Sequence, residues 1–195
     1  MLVKICGLGS AEQVRAAVDA GADAVGFVFA ASVRRVTPAQ AAEFSADVPA
    51  GVRRVAVMLH PGNDEWQDVL QVLKPDVLQT DAEDFDGLDV PDSVERWPVY
   101  REGKHATVDA GTFVYEGAKS GQGETVDWGR AADIARQGNM ILAGGLSVAN
   151  VAAAVATAKP FGVDVSSAVE SAPGQKDPGL IEQFIQAARA AEQRL

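Results

Sequence analysis

A chain of 195 residues, 47% hydrophobic and 23% charged, has the makeup of an ordinary globular protein and the length for one domain with a sizeable core. Its 17 basic against 27 acidic residues leave a formal charge of −10, which argues against nucleic-acid binding, since that depends on Lys and Arg neutralising phosphates. No apolar run approaches a membrane span, no secretory signal is visible, and one cysteine cannot close an internal disulfide, so a cytoplasmic protein with no membrane partner is expected.

Eight β-rich runs can be read in chain order, at 2–6, 24–29, 53–58, 77–79, 97–101, 106–109, 140–143 and 162–166. Several are almost continuously apolar, as strands of a covered parallel sheet tend to be. Helices between them announce their ends. Ser10-Ala11-Glu12-Gln13 and Thr37-Pro38-Ala39-Gln40 read as capping boxes, and Asp64-Glu65-Trp66-Gln67 as a similar start. Asp177-Pro178 opens a last helix whose Leu180, Ile181, Phe184, Ile185 and Ala188 share one face; Gly138 and Pro160 stop two others. Eight strand–helix units favour an α/β fold, a compact (β/α)8 TIM barrel spanning 1–195 as a single domain, over an open doubly wound sheet. Segment 80–94 has little helical periodicity, so the helix after strand four is expected to be reduced.

Chemistry in such a barrel gathers at the carboxyl ends of the strands. The lone Cys6 ends the first strand just before Gly7, and the period of two puts Lys4 on its side, where a charge pairs with an inward carboxylate or favours the thiolate. A buried, inert cysteine is the plainer reading. Arg34 and Arg35 follow the second strand; either can clamp a carboxylate or simply sit in solvent. Asp127, after the run Ser120-Gly121-Gln122-Gly123, reads as a helix N-cap and also as an acid at the barrel mouth, kept protonated by partial burial. Gly144-Gly145 opens a helix after the seventh strand, and Ser166-Ser167 ends the eighth. Side by side, these two ends offer backbone and hydroxyl donors to a phosphate.

Taken together, Val3-Lys4-Ile5-Cys6-Gly7-Leu8, Gly26-Phe27-Val28-Phe29, Ser32-x-Arg34, Asp127-Trp128, Ala143-Gly144-Gly145-Leu146 and Val163-Asp164-Val165-Ser166-Ser167 resemble the phosphoribosylanthranilate isomerases of tryptophan biosynthesis, from residue 2 to the last helix. The resemblance implies an Amadori rearrangement of N-(5-phosphoribosyl)anthranilate to 1-(2-carboxyphenylamino)-1-deoxyribulose 5-phosphate. It makes Cys6 the base, Asp127 the acid, Arg34 the holder of the anthranilate carboxylate, and Asp164 a partner of ribose hydroxyls or the iminium. Because the iminium is itself the electron sink, no metal and no organic cofactor are called for. A small phosphorylated sugar–anthranilate is then the partner, and the chain a monomer or homodimer.

Three positions depart from that pattern. Gln79-Thr80-Asp81-Ala82 stands where the family usually has Gln-Leu-His-Gly, Ala168 replaces a glycine after Ser-Ser, and Arg35 replaces an aromatic. Other readings compete. A dual-substrate isomerase that also acts in histidine biosynthesis needs a second phosphate site, which Asp81, Glu83 and Asp84 would repel unless an arginine intervened. An indole-forming lyase wants a lysine acid at the rim, and none is matched. A ligand-binding barrel without turnover has no need of Cys6 or Asp127.

Overall fold

Eight strands pair in parallel in chain order and close on themselves: β1 (Leu2–Cys6), β2 (Ala24–Val28), β3 (Arg53–Val57), β4 (Val77–Asp81), β5 (Glu95–Arg101), β6 (Thr112–Glu116), β7 (Asn139–Leu142) and β8 (Gly162–Val165). The computed structural model describes residues 1–103, 108, 111–118 and 125–194. Helices α1 (Ala11–Asp19), α2 (Pro38–Phe44), α3 (Asn63–Leu73), α4 (Trp128–Ala135), α5 (Val151–Ala158) and α6 (Pro178–Glu192) complete the expected (β/α)8 barrel. Between β4 and β5 stands only a 3-10 helix, Ala82–Gly87, the reduced connection expected of 80–94. A short antiparallel hairpin, β9 (Glu170–Ala172) and β10 (Gln175–Lys176), follows β8.

Strand periodicity divides the core in two. Leu2, Ala24, Val55, Val77, Trp97, Val99, Val114, Ile141 and Ala143 form one cluster inside the barrel, while Val3, Ile5, Phe27, Leu78, Phe113, Tyr115 and Val163 join the helices in a larger outer cluster. The same alternation decides which side chains reach the mouth. Two residues beyond an inward apolar position, the strands present Arg101 after Val99 and Glu116 after Val114. On β1, Lys4 and Cys6 succeed Leu2 on the inner face, and Asp164 lies directly across from Lys4.

Helix ends follow the sequence closely. Thr37 and Gln40 form a full capping box with Pro38 in the first turn, and Asp177 accepts from the Leu180 N–H at 3.0 Å. Ser10 accepts from the Gln13 N–H at 3.2 Å, but the Gln13 side chain turns to the Gly9 N–H instead, so the reciprocal half of that box is absent. Gly62, not Asp64, caps α3, without a side-chain bond. Trp66 and Trp97 are both buried, and the Trp66 indole donates to the Asp89 carbonyl at 2.9 Å. Trp66→Ala, which empties a large outer-core volume and leaves the Asp89 carbonyl to the Gln67 side-chain amide, is expected to cost about 3–5 kcal/mol in urea unfolding.

One strand lies elsewhere than expected. The strand assigned to 106–109 falls largely outside the described residues, and Val108 is not in a strand; β6 is Thr112–Glu116. Its Thr112, Val114 and Glu116 face in, its Phe113 and Tyr115 face out, and Gly111 and Gly117 bracket it. The shift puts Glu116 at the carboxyl end of β6, on the inner face.

Candidate active site

A cavity of about 310 Å³ opens at the carboxyl ends of the strands, with Cys6, Arg34, Arg101, Glu116, Gly144, Gly145, Asp164, Ser166 and Ser167 among its lining residues. That volume suits a small ligand rather than a macromolecule.

Cys6 ends β1 as a free thiol, and the chain turns there on Gly7 at φ +75°. A side chain at Gly7 would bring a Cβ within 2.6 Å of Arg34 Cδ, so the turn needs glycine for backbone and space alike. Below the thiol, Lys4 donates to Asp164 Oδ2 at 2.8 Å, fully buried. Burial opposes the charge on Lys4, but Asp164 and Cys6 together hold its pKa above the ordinary value. Burial pushes the Cys6 thiol up, while Lys4 and Lys176 pull it back towards the thiolate. Burial likewise raises Asp164 against the pull of Lys4, and its buried Oδ1 has no partner among the described residues. An acceptor in that position suits a ligand's hydroxyl or N–H.

Arg34 lines the cavity, whereas Arg35 is exposed and borders a separate groove. The Arg34 fork is engaged: Nε and Nη2 bond Glu170 Oε1 and Oε2 at 2.6 and 2.8 Å. Of five guanidinium N–H groups this leaves the Nη1 edge for a ligand anion. Glu170 also accepts from Lys176 at 2.6 Å, and Lys176 bonds the Ser166 carbonyl at 3.0 Å and hydroxyl at 3.3 Å. Bonding to Arg34 and Lys176 outweighs burial and lowers Glu170 to about 2. The support that Glu170 gives is therefore present above its unfolded value and lost only as pH falls towards about 2. Arg34 is braced throughout the neutral range.

Gly144 and Gly145 both take left-handed backbone angles, φ +88° and +61°. Among the described residues their N–H groups donate to no protein acceptor. The helix does not begin at this turn, as the sequence suggested. It begins at Val151, and Asn150 ties the intervening loop by accepting from Ser147 N–H at 2.7 Å and donating to the Gly145 carbonyl at 2.9 Å. Ser167 is exposed and starts a 3-10 turn, Ser167–Val169, while Ser166 donates to the Cys6 carbonyl at 3.0 Å. The two loops thus meet at the cavity, linked by Ser166 to the thiol's strand.

Asp127 is exposed, not partly buried. It caps α4, accepting from the Gly129 and Arg130 N–H groups at 2.8 and 3.1 Å, and is not among the described residues lining the cavity. The Ser120-Gly121-Gln122-Gly123 run before it lies outside the described residues. Glu116, unremarked in the sequence, does line the cavity. Burial raises its pKa although Arg101 opposes the rise. Its signal was the alternation Thr112-x-Val114-x-Glu116 ahead of Gly117, obscured by the strand placed too early.

A family model described as N-(5'-phosphoribosyl)anthranilate (PRA) isomerase matches residues 3–187. The chain belongs to the phosphoribosylanthranilate isomerase family. A Listeria monocytogenes protein named N-(5'-phosphoribosyl)anthranilate isomerase is 38% identical, with 98% of this chain and 100% of that protein covered. The crystal structure of TrpF from Jonesia denitrificans superposes with a TM-score of 0.79 at 31% identity, covering 98% of both chains. A third relative, a phosphoribosyl anthranilate isomerase solved in complex with reduced 1-(o-carboxyphenylamino)-1-deoxyribulose 5-phosphate, matches with a TM-score of 0.77 at 28% identity, covering 97% of this chain and all of that one.

Within the phosphoribosylanthranilate isomerase family pattern, the three departures now have surroundings. Thr80 is buried and its hydroxyl bonds Asp84. Asp81 is buried and pairs with Arg101, whose Nε lies 2.9 Å from Oδ2 and whose Nη2 meets Oδ1. An arginine therefore does stand on the acidic side of the mouth, but it is engaged by carboxylates. Ala168 packs against the outer core, and Arg35 points away from the cavity.

Proposed function

We propose that this isomerase converts N-(5-phosphoribosyl)anthranilate to 1-(2-carboxyphenylamino)-1-deoxyribulose 5-phosphate by an Amadori rearrangement, with Cys6 as base and Asp127 as acid. The observation that carries the reading is that the thiol at the end of β1 lines one cavity with the Asp164 carboxylate and two donor-rich loops, while Asp127 opens the helix after β6 on the same carboxyl side of the strands. The acid gives its proton to the furanose ring oxygen as the C1–O bond breaks and the anilino nitrogen lone pair forms the C1=N iminium. The base then removes the C2 proton, and the C–H electrons flow into the iminium to give an enolamine. Ketonisation returns a proton to C1 and leaves the C2 carbonyl. Each step moves a proton or an electron pair within the substrate, which is why an acid and a base suffice.

The remaining residues hold the ends of the ligand. The phosphate is assigned to Gly144-Gly145 and Ser166-Ser167, with the Lys176 charge behind Ser166. Asp164, anchored by Lys4 and carrying an unpartnered oxygen, suits the ribose hydroxyls or the iminium. Arg34, which lines the same cavity, is assigned to the anthranilate carboxylate. Incubating the purified protein with freshly generated phosphoribosylanthranilate and following loss of its fluorescence tests the reaction; no loss beyond spontaneous decay would defeat the assignment.

Arg34→Ala is expected to raise KM tenfold or more, on the order expected for a lost charge-assisted contact, with kcat within a few-fold. The clamp acts far from the moving proton, so it contributes binding to ground and transition states alike. A larger KM rise in Arg35→Ala, with Arg34→Ala silent, would move the carboxylate to the other arginine.

A further inference from the structure

Arg34 reaches the cavity with one edge of its guanidinium already gripped, and the grip comes from the hairpin inserted between β8 and α6. Glu170 opens β9 and Lys176 closes β10, and the hairpin register sets the two directly across from each other. Their ion pair, at 2.6 Å, is almost wholly buried. The carboxylate does more than pair with its cross-strand neighbour. Oε1 accepts from Arg34 Nε and from Lys176, and Oε2 accepts from Arg34 Nη2 and from the Gly174 N–H at 3.2 Å, so one buried carboxylate gathers four donors.

Those donors tie the hairpin to both sides of the site. Gly174, at φ +80°, sets the hairpin turn against the loop that carries Arg34; a Cβ there would lie 3.1 Å from the Val33 carbonyl oxygen. Lys176 runs on to the Ser166 carbonyl and hydroxyl, and Ser166 donates to the Cys6 carbonyl. The hairpin therefore connects the arginine assigned to the ligand's carboxylate with the loop assigned to its phosphate.

We propose that Glu170 is a positioning residue for this isomerase: by taking the Nε and Nη2 positions of Arg34 it turns the Nη1 edge to the anthranilate carboxylate, and through Lys176 and Ser166 it holds that clamp at a set distance from the phosphate loop. The proposal rests on Arg34 being the carboxylate clamp. A two-pronged carboxylate–guanidinium contact fixes an angle as well as a charge. An arginine without it has its rotamers to freeze when the ligand binds, and that cost is taken from affinity. Field and geometry give opposite signs here. Glu170 is a negative charge beside the guanidinium, so by Coulomb's law alone its removal tightens an incoming anion. If the carboxylate orients Arg34, its removal weakens the hold on the ligand's carboxyl group.

Two probes read the difference: the secondary amines made by reductive amination of ribose 5-phosphate with anthranilate or with aniline. They share sugar, phosphate and ring and differ in the carboxyl alone, so a change confined to the phosphate loop cancels in the ratio of their Kd values. Calorimetry gives that ratio for the parent, Arg34→Ala, Glu170→Gln, Arg34→Ala/Glu170→Gln and Glu170→Gln/Lys176→Met. The last variant leaves no lysine buried without its counter-charge, and melting curves check that each protein is folded. The parent is expected to favour the carboxylated probe about tenfold or more, as a charge-assisted contact would. Glu170→Gln and Glu170→Gln/Lys176→Met should each cut that preference about fivefold or more, with the aniline probe held within about twofold in Glu170→Gln. Arg34→Ala should abolish the preference, and adding Glu170→Gln to it should remove nothing further, since the two side chains act as one unit. A preference kept or increased in the folded Glu170 variants, beside its loss in Arg34→Ala, would overturn the positioning role while leaving Arg34 as the clamp. Equal losses on both probes in Glu170→Gln would make the hairpin a structural support only and overturn the role as well. An Arg34→Ala protein with the parent's preference would overturn the carboxylate assignment itself and this proposal with it.

Discussion

Asp127→Asn is expected to lower kcat by at least ~100-fold, the low end for a positioned general acid, while leaving the protein folded and its phosphate loops intact. Asparagine caps a helix as well as aspartate, so α4 should be undisturbed, but it has no proton to give to the ring oxygen. Glu116→Gln is the informative contrast. Glutamine keeps the shape and an oxygen for the Arg101 Nη1 bond, so turnover should fall far less than in Asp127→Asn. Asp127→Ala should cost about 1 kcal/mol of stability through the lost cap in addition to the lost activity. Single-turnover measurements separate the step affected from product release. Near-normal turnover by Asp127→Asn, with Glu116→Gln inactive, would move the acid to the buried glutamate.

That contrast also shows what the sequence could and could not disclose. The barrel was legible because each unit carries its own punctuation: continuous apolar strands, Thr37 and Asp177 at helix starts, and glycines at strand ends. Cys6, Asp164 and the two phosphate-type loops stood beside motifs specific enough to place them on strand ends. Glu116 did not, for a local reason. In the stretch 106–117 two β-rich runs flank Gly111, and placing the strand in the first run removes Glu116 from the inner face. The early placement hides Glu116 but leaves β7 and β8 within a residue of the runs read for them. Asp127 was legible both as the N-cap it proves to be and as the aspartate of the family's Asp-Trp pair. Contacts between distant positions were equally out of reach. Nothing along the chain links Arg34 to Glu170 across 136 residues, or Arg101 to Asp81; only barrel closure and register bring them together. The departure at Thr80-Asp81 was visible as a difference, but its meaning needed Arg101 beside it.

Cys6→Ala should lower kcat by at least ~100-fold as well, and for a reason distinct from the acid's. Alanine fills nearly the same buried space at the end of β1, so the Lys4–Asp164 pair beneath it and the Ser166 contact to the residue 6 carbonyl should survive. What disappears is the group that accepts the C2 proton. The thiol's own chemistry gives a second readout. Because burial pushes Cys6 up against the pull of Lys4 and Lys176, alkylation by iodoacetamide should be slow at neutral pH and should accelerate as pH rises through the raised value. Lys176→Met removes one of the two charges favouring the thiolate, so inactivation should shift to still higher pH. A reduced product analogue filling the cavity should slow alkylation, since Cys6 lines the same space as Glu116 and Asp164. Near-normal turnover by a folded Cys6→Ala protein would rule out the thiol as base. Alkylation indifferent to the analogue would place Cys6 outside the occupied site, and either result would leave Asp164, the remaining buried carboxylate with an unpartnered oxygen, as the group to examine for proton abstraction.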